Sequence, residues 1–185
     1  MSLALWSNQD AQVFEHLAAH DKKATQGCPC GFLGDTQREC ICPLQQIQRY
    51  RTRVSGPLLD RIDIQVEVPA VKYGDLKSVG DGERSKDVRE RVYRARARQL
   101  ERFADTAIFC NAQMSTREIH RHCEADTAAD RLLEAAMNKL ALSARAYTRI
   151  LKVARTVADL EGVPVIGSSH IAEAIQYRSL DRPLT

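Results

Sequence analysis

The stretch LSARAYTRILKVARTVADLEG, residues 142–162, decides the fold. Ala146, Ile150, Val153, Val157 and Leu160 recur at the intervals that line one face of an α-helix. Ser143 precedes the run and can accept an orphan backbone N–H, while Gly162 and Pro164 close its far end. A helix with one apolar stripe has to bury that stripe against other elements. Partners stand on both sides in the sequence. Residues 168–178 predict a helix opened by Ser168, and residues 126–140, 115–123 and 85–103 predict three more. Ser115 and Glu118 form the S-x-x-E capping box of one of them. The fold class that follows is mainly α, a compact helical bundle.

Farther upstream the pattern changes. GDLKSVGDGERS, beginning at Gly74, is rich in glycine and charge and predicts a linker over residues 74–84. Before it, residues 62–68 alternate apolar and polar, Ile62-Asp63-Ile64-Gln65-Val66-Glu67-Val68, as a half-buried strand would, and Pro69 ends the run. Pro43 occupies a first helical position, and Leu44, Ile47, Tyr50 and Val54 follow at helical spacing until Ser55-Gly56-Pro57. DAQVFEHLAAH, residues 10–20, predicts one amphipathic helix without evident chemistry.

The totals exclude several classes. With 185 residues, 44% apolar and 28% charged, the chain can bury a core and lacks the composition of a disordered protein. A net charge of +3 is too mild to point to nucleic acid, which requires a concentrated basic face. The arginines of residues 84–102 point all round their helix, a pattern that suits pairing with nearby acids as well as it suits DNA. No apolar run is long enough to cross a membrane and no secretory signal opens the sequence, so a cytoplasmic, soluble protein is expected.

Four of the six cysteines, Cys28, Cys30, Cys40 and Cys42, crowd into one glycine-rich loop as C-x-C, nine residues, C-x-C. Four soft thiolates gathered by one loop suit tetrahedral zinc in a structural role, with reduced free thiols or a disulfide as the competing readings. In IHRHCEAD, His120, His122, Cys123 and Glu124 also lie close together, but their spacing and place after a capping box favour ordinary helix residues.

Three segments, in order, carry a resemblance: CPCGFLGDTQRECIC, then QIQRYRTRVSGPLLDRIDIQVEVP, then LSARAYTRILKVARTVADLEG followed by HIAEAIQYRSLDR. Together they resemble the magnesium-chelatase-related AAA+ ATPases of the ComM/YifB-like kind. The resemblance implies a motor with a P-loop core, a helical lid and a homo-oligomeric, hexameric ring that uses ATP and Mg to act on DNA in competence and recombination. It makes this chain a C-terminal portion: an unmatched segment over 1–27, a remnant of the ATPase core over 28–73, the linker, and a helical lid over 85–182. It casts Arg61, in LLDRID, as the arginine finger that steadies charge on a γ-phosphoryl group across a subunit interface. It casts Arg145, in SARA, as the lid arginine that meets the same phosphate. The plainer alternatives are an Arg61 paired with Asp60 or Asp63, and an Arg145 that with Arg149 and Lys152 merely solvates an outer face. A cation in the first turn opposes the helix dipole by about 0.3–1 kcal/mol, which calls for an anion.

The sequence departs from such motors in lacking G-x-x-x-x-G-K-[ST] and an apolar run ending in Asp-Glu, so ATP hydrolysis by this chain alone is not expected. Gln26-Gly27 stands where such proteins carry an asparagine ahead of CPCG. The alternative functions are a zinc-stabilised DNA-binding module and a helical interaction module.

Overall fold

The structure is a computed structural model, and it describes residues 27–35, 38–53, 62–66, 74 and 82–178. The expected helix over residues 10–20, Arg61 and the end of the expected strand lie outside the described residues. The described residues fall into two compact units, 27–53 in one and 62–66 with 82–178 in the other.

In the first unit, Pro43 caps α1 (Leu44–Arg51), where Ile47 and Tyr50 are buried. Thr52 closes it, its N–H donating to Gln48 O at 3.0 Å, while the N–H of the next residue, Arg53, donates to Tyr50 O at 3.3 Å. Ahead of α1 the chain makes two tight turns, with Gly31 N–H donating to Cys28 O at 3.1 Å and Asp35 N–H to Phe32 O at 3.1 Å. Gly34 sits at φ 80°, a left-handed conformation that side chains with a Cβ rarely adopt.

The second unit is the bundle: α2 (Ser85–Arg102), a single 3-10 turn (Asn111–Gln113), α3 (Thr116–His122), α4 (Thr127–Lys139), α5 (Ala144–Glu161) and α6 (Ser168–Gln176). α5 is the hub, packing against α2, α3, α6 and the 3-10 turn, while α4 packs on α6. The caps follow the local chemistry. Ser115 accepts from Glu118 N–H while Ser115 N–H donates to the Glu118 carboxylate at 2.6 Å, and that bond holds the carboxyl below its ordinary value. Asp126 accepts from Ala129 N–H at 2.7 Å, and Ser143 from Ala146 N–H at 3.1 Å. Gly162 closes α5 at φ 92°. A Cβ there would meet Arg98 Nη2 at 2.8 Å, a contact the flexible guanidinium could relieve, so it is the left-handed backbone that calls for glycine.

Three expectations are corrected. α6 is capped by Gly167, not Ser168, because the His170 ring reaches back and its Nδ1 accepts the Gly167 N–H at 2.8 Å. The buried face of α5 is rotated from the Val153-Val157-Leu160 stripe: Ala146, Ile150, Leu151, Ala154 and Ala158 are buried with Arg155 and Asp159, and Leu160 is exposed. Ala154 and Ala158 are fully buried with Ala129 and Ala174, and such small side chains let helices approach closely. Residues 62–66 form no strand, and their alternation is inverted, with Gln65 buried and Ile64 and Val66 exposed. Among the described residues no strand pairs with them. They are held instead by Gln65 N–H donating to Tyr177 O at 2.8 Å and Arg178 Nη1 to Ile62 O at 3.3 Å.

The core gathers Phe103, Met114, Ile119, Leu133, Ile150, Ile166 and Ile171 from across the second unit. Ile166 is pinned by a parallel bridge to Ala125, with Asp126 N–H donating to Ile166 O and Ile166 N–H to Glu124 O, both at 3.0 Å. Among the described residues no helix is long and apolar enough to cross a membrane.

Candidate functional site

The two turns before α1 fold the cysteine loop back on itself. Sγ of Cys28 lies 3.3 Å from Sγ of Cys30, Cys30 lies 3.5 Å from Cys40, and Cys40 lies 3.6 Å from Cys28. All four sulfurs, Cys42 included, fall within 4.8 Å of one another. These spacings exceed the roughly 2.05 Å of a disulfide, and the four cysteines stand as free thiols. Four sulfurs each about 2.3 Å from a central zinc would stand roughly 3.8 Å apart, a little wider than the three spacings above and within the 4.8 Å span of the set. The cluster could bind a metal such as zinc. Four thiolates would fill its coordination and leave no position open for chemistry.

Electrostatics within the loop separates the thiols. The Phe32 backbone N–H beside Cys30 favours its thiolate and lowers its pKa to about 6. At Cys40 the Cys42 backbone N–H favours the thiolate, but desolvation and the adjoining Cys30 and Cys28 outweigh it and raise the pKa to about 12. Cys42 is raised mainly by desolvation. A divalent cation would replace the protons these groups share.

Arg145 projects from the first turn of α5 and is exposed, and among the described residues no carboxylate pairs with it. Its two cationic neighbours on the helix are engaged. Arg149 bonds Asp63, and Lys152 Nζ donates to Ala112 O at 2.8 Å. Desolvation, then the nearby Arg149, lowers the Lys152 pKa. The first turn of α5 contains no acidic residue to offset Arg145. Asp63, offered by the sequence as a partner for Arg61, is bonded to Arg149.

Sequence reasoning missed a buried polar network at the other end of α5. Asp159, whose side chain is 1% exposed, takes both arms of Arg102, with Nη1 at 2.8 Å from Oδ2. It also accepts Arg155 Nε at 3.1 Å and Asn111 Nδ2 at 2.8 Å. Arg155, 2% exposed, donates besides to the Val163 carbonyl at 2.6 Å and to that of Pro164. Burial alone would raise the Asp159 pKa, but the bonds from Arg102 and Asn111 and the charges of Arg102 and Arg155 hold it below the usual carboxylate range. Burial in turn pushes the Arg155 guanidinium down. The network clamps α2, the 3-10 turn and the exit of α5 together and presents no nucleophile. In sequence it is a plain i,i+4 Arg–Asp pair, which is usually solvated.

The other sequence candidates find ordinary places. Arg91 pairs with Glu83 at 2.5 Å, Arg94 with Glu90 at 3.8 Å, and Arg98 caps the Asp159 carbonyl at 3.0 Å. Cys123 is buried, and desolvation raises its thiol to about 11. Among the described residues, the only His, Cys, Asp and Glu group gathered closely enough to hold a metal is the tetracysteine set.

The second unit, a hub-and-spoke helical bundle in which an exposed arginine opens the central helix α5, is of the helical-lid class. The chain belongs to the magnesium chelatase subunit ChlI family. Residues 82–178 match the family model described as "Magnesium chelatase, subunit ChlI C-terminal", and residues 16–76 match that of "Magnesium chelatase, subunit ChlI". It is similar to Competence protein ComM of Haemophilus influenzae, 48% identical over 141 residues, covering 76% of this chain and 27% of that protein. It is also similar to the uncharacterized YifB of Escherichia coli, 41% identical over 144 residues, 77% of this chain and 28% of the relative. An uncharacterized protein of Mycobacterium bovis is 36% identical over 155 residues, 84% of this chain and 30% of its own length. The chain thus spans about three tenths of the curated relatives it matches.

Proposed function

We propose that this chain is the lid-bearing part of a magnesium-chelatase-like AAA+ motor, in which Arg145 meets the terminal phosphate of ATP. The observation that carries this reading is the isolation of Arg145. It stands where positive charge is mildly disfavoured, among the described residues it has no carboxylate partner, and the two cations that follow it on the same helix are tied to internal groups. A phosphate would supply the missing counter-charge. Arg61, two residues before the tethered Asp63, is assigned the arginine finger, donating its fork to a nucleotide held by a neighbouring subunit. On this reading residues 28–73 continue the ATPase core, 74–84 link it to the lid, and 85–182 form the lid. The tetracysteine knob holds a structural zinc, since its sulfur spacing suits that ion and it offers no open position. The phosphate cradle and the Mg-binding acids come from other residues of the ring, and DNA is the polymer such a motor would move.

The test replaces the matching region of Haemophilus influenzae ComM with this chain and measures ATP turnover of the hybrid. Losing one preorganised donor to a phosphoryl group lowers turnover by about 10²-fold, so Arg145→Ala should fall by that order. Arg61→Ala, carried by every subunit of the hybrid, should abolish turnover, and unchanged turnover removes the arginine-finger assignment. Turnover unchanged in Arg145→Ala removes the assignment.

A further inference from the structure

The arginines of α2 point all round the helix, and the structure divides them by what they meet. Arg91 and Arg94 are engaged by Glu83 and Glu90, and Arg98 and Arg102 by the Asp159 carbonyl and carboxylate. Lys86, Arg89 and Arg96 are different. Among the described residues no carboxylate pairs with any of them, and Arg96 donates to a neutral amide, Gln99 Oε1, at 3.1 Å. Lys86, Arg89, Tyr93 and Arg96 follow one another at steps of three, four and three residues, which keeps them on one face of an α-helix. Tyr93 stands in the middle of this row and is 68% exposed. No acid belongs to the row, since Asp87, Glu90 and Glu101 fall to its side. The bundle meets α2 elsewhere, where Ala95 and Gln99 are buried.

We infer that this face of α2 binds single-stranded nucleic acid, with Lys86, Arg89 and Arg96 on backbone phosphates and the Tyr93 ring stacked on a base. Like charges three residues apart on a helix repel, so Lys86 and Arg89 gain from an anion laid across them. The row from Lys86 to Arg96 runs about 15 Å along the helix, a line of charge that matches a chain of phosphates better than one small anion. The exposed ring adds what an acidic peptide would not use. Every base has a face to stack on, so such a contact tolerates any sequence. A duplex keeps its bases stacked on one another and offers Tyr93 no face, which selects the single strand. The strand bound here is the polymer of the proposed motor, a step that rests on that reading. Binding is measured without ATP, so it can fail while Arg145→Ala still lowers turnover of the hybrid, and the reverse.

The test titrates the full chain against a fluorescein-labelled single-stranded DNA of mixed sequence, about 20 nucleotides long, by anisotropy across a salt series. Far-ultraviolet circular dichroism confirms native helix content in every variant. Each phosphate neutralised on a single strand contributes about −0.7 to the slope of log affinity against log salt, so three cations give about −2. Lys86→Gln/Arg89→Gln should weaken binding and bring the slope to about −0.7. Tyr93→Ala should lower affinity by about 5–150-fold and leave the slope unchanged, because stacking releases no counterion. Arg91→Gln/Arg94→Gln removes as many charges from engaged positions on the same helix and should bind as the wild type does. The inference is overturned if the wild type does not retain the strand at low salt, or if Arg91→Gln/Arg94→Gln weakens binding as much as Lys86→Gln/Arg89→Gln. It is equally overturned if Tyr93→Ala binds as the wild type does, or if the duplex of the same sequence binds as tightly. Polyglutamate of equal charge displacing the labelled strand as readily as unlabelled strand does would assign the face to an acidic protein instead.

Discussion

Replacing Asp159 by Asn tests whether the buried network holds the bundle. The substitution keeps the shape and removes one charge, leaving Arg155, 2% exposed, without its counter-ion. It also turns an amide N–H₂ toward either Arg102 or Asn111, both of which are donors to Asp159. Stripping one partner from a buried ion pair costs about 3–5 kcal/mol. The Arg102 side chain is 16% exposed and can recover some hydration, so the lower part of that range applies, about 3 kcal/mol. For a domain of 60–100 residues each kcal/mol moves the thermal midpoint by about 4–8 °C, so the helical unit should melt roughly 12–24 °C earlier. Thermal unfolding followed by circular dichroism at 222 nm is the assay. The accompanying sign is fixed by the depressed Asp159 pKa: its contribution is complete above the unfolded value of about 3.9 and is lost as pH falls through the lower folded value. The wild-type advantage over Asp159→Asn should therefore persist at neutral pH and shrink in strong acid. A midpoint within about 4 °C of wild type at pH 7 would refute the reasoning and assign the stability of this end to apolar packing.

Two further outcomes are expected. The purified chain should carry about one zinc, and Cys40→Ser should lose it while Cys110→Ser retains it; equal metal content in both variants, measured by elemental analysis, would contradict the tetracysteine site. His122, edge-on to Phe103 with ring centroids 5.5 Å apart, has its pKa lowered chiefly by burial and then by Arg121 and Arg102. Its contribution is complete above the unfolded value of about 6.5 and is lost as pH falls through the lower folded value. His122→Phe should flatten the decline in stability below pH 6.5, and an unchanged slope in chemical denaturation would count against that origin.

Much of the bundle was legible because its signals are local. The Ser115–Glu118 box, the Ser143 cap and the Gly162 terminator act within one turn of helix, and the structure uses all three. The cysteine knob was legible for the same reason, four thiols within fifteen residues and glycines that permit the turns. What escaped depends on distant partners. The rotation of α5 follows from Arg102 and Asn111, which lie 57 and 48 positions from Asp159 and turn an apparently solvated pair inward. The inverted burial of residues 62–66 has a similar origin. Alternation presupposes a sheet with a covered face, whereas the described partners of this segment are a helix end and the Arg149 side chain, which select the backbone of Gln65 and the carboxylate of Asp63. Gly167 displaced Ser168 as the cap because a histidine ring three residues on offers a ring nitrogen as acceptor, which a serine–threonine–aspartate rule does not count.

Equilibrium binding of ATP and ADP to the ComM hybrid, with and without Arg145→Ala, isolates the contact at the centre of the account. If the arginine meets the terminal phosphate, the variant should bind ADP as before and lose affinity for ATP alone. Equal affinities of wild type and variant for both nucleotides, or equal losses for both, would contradict it.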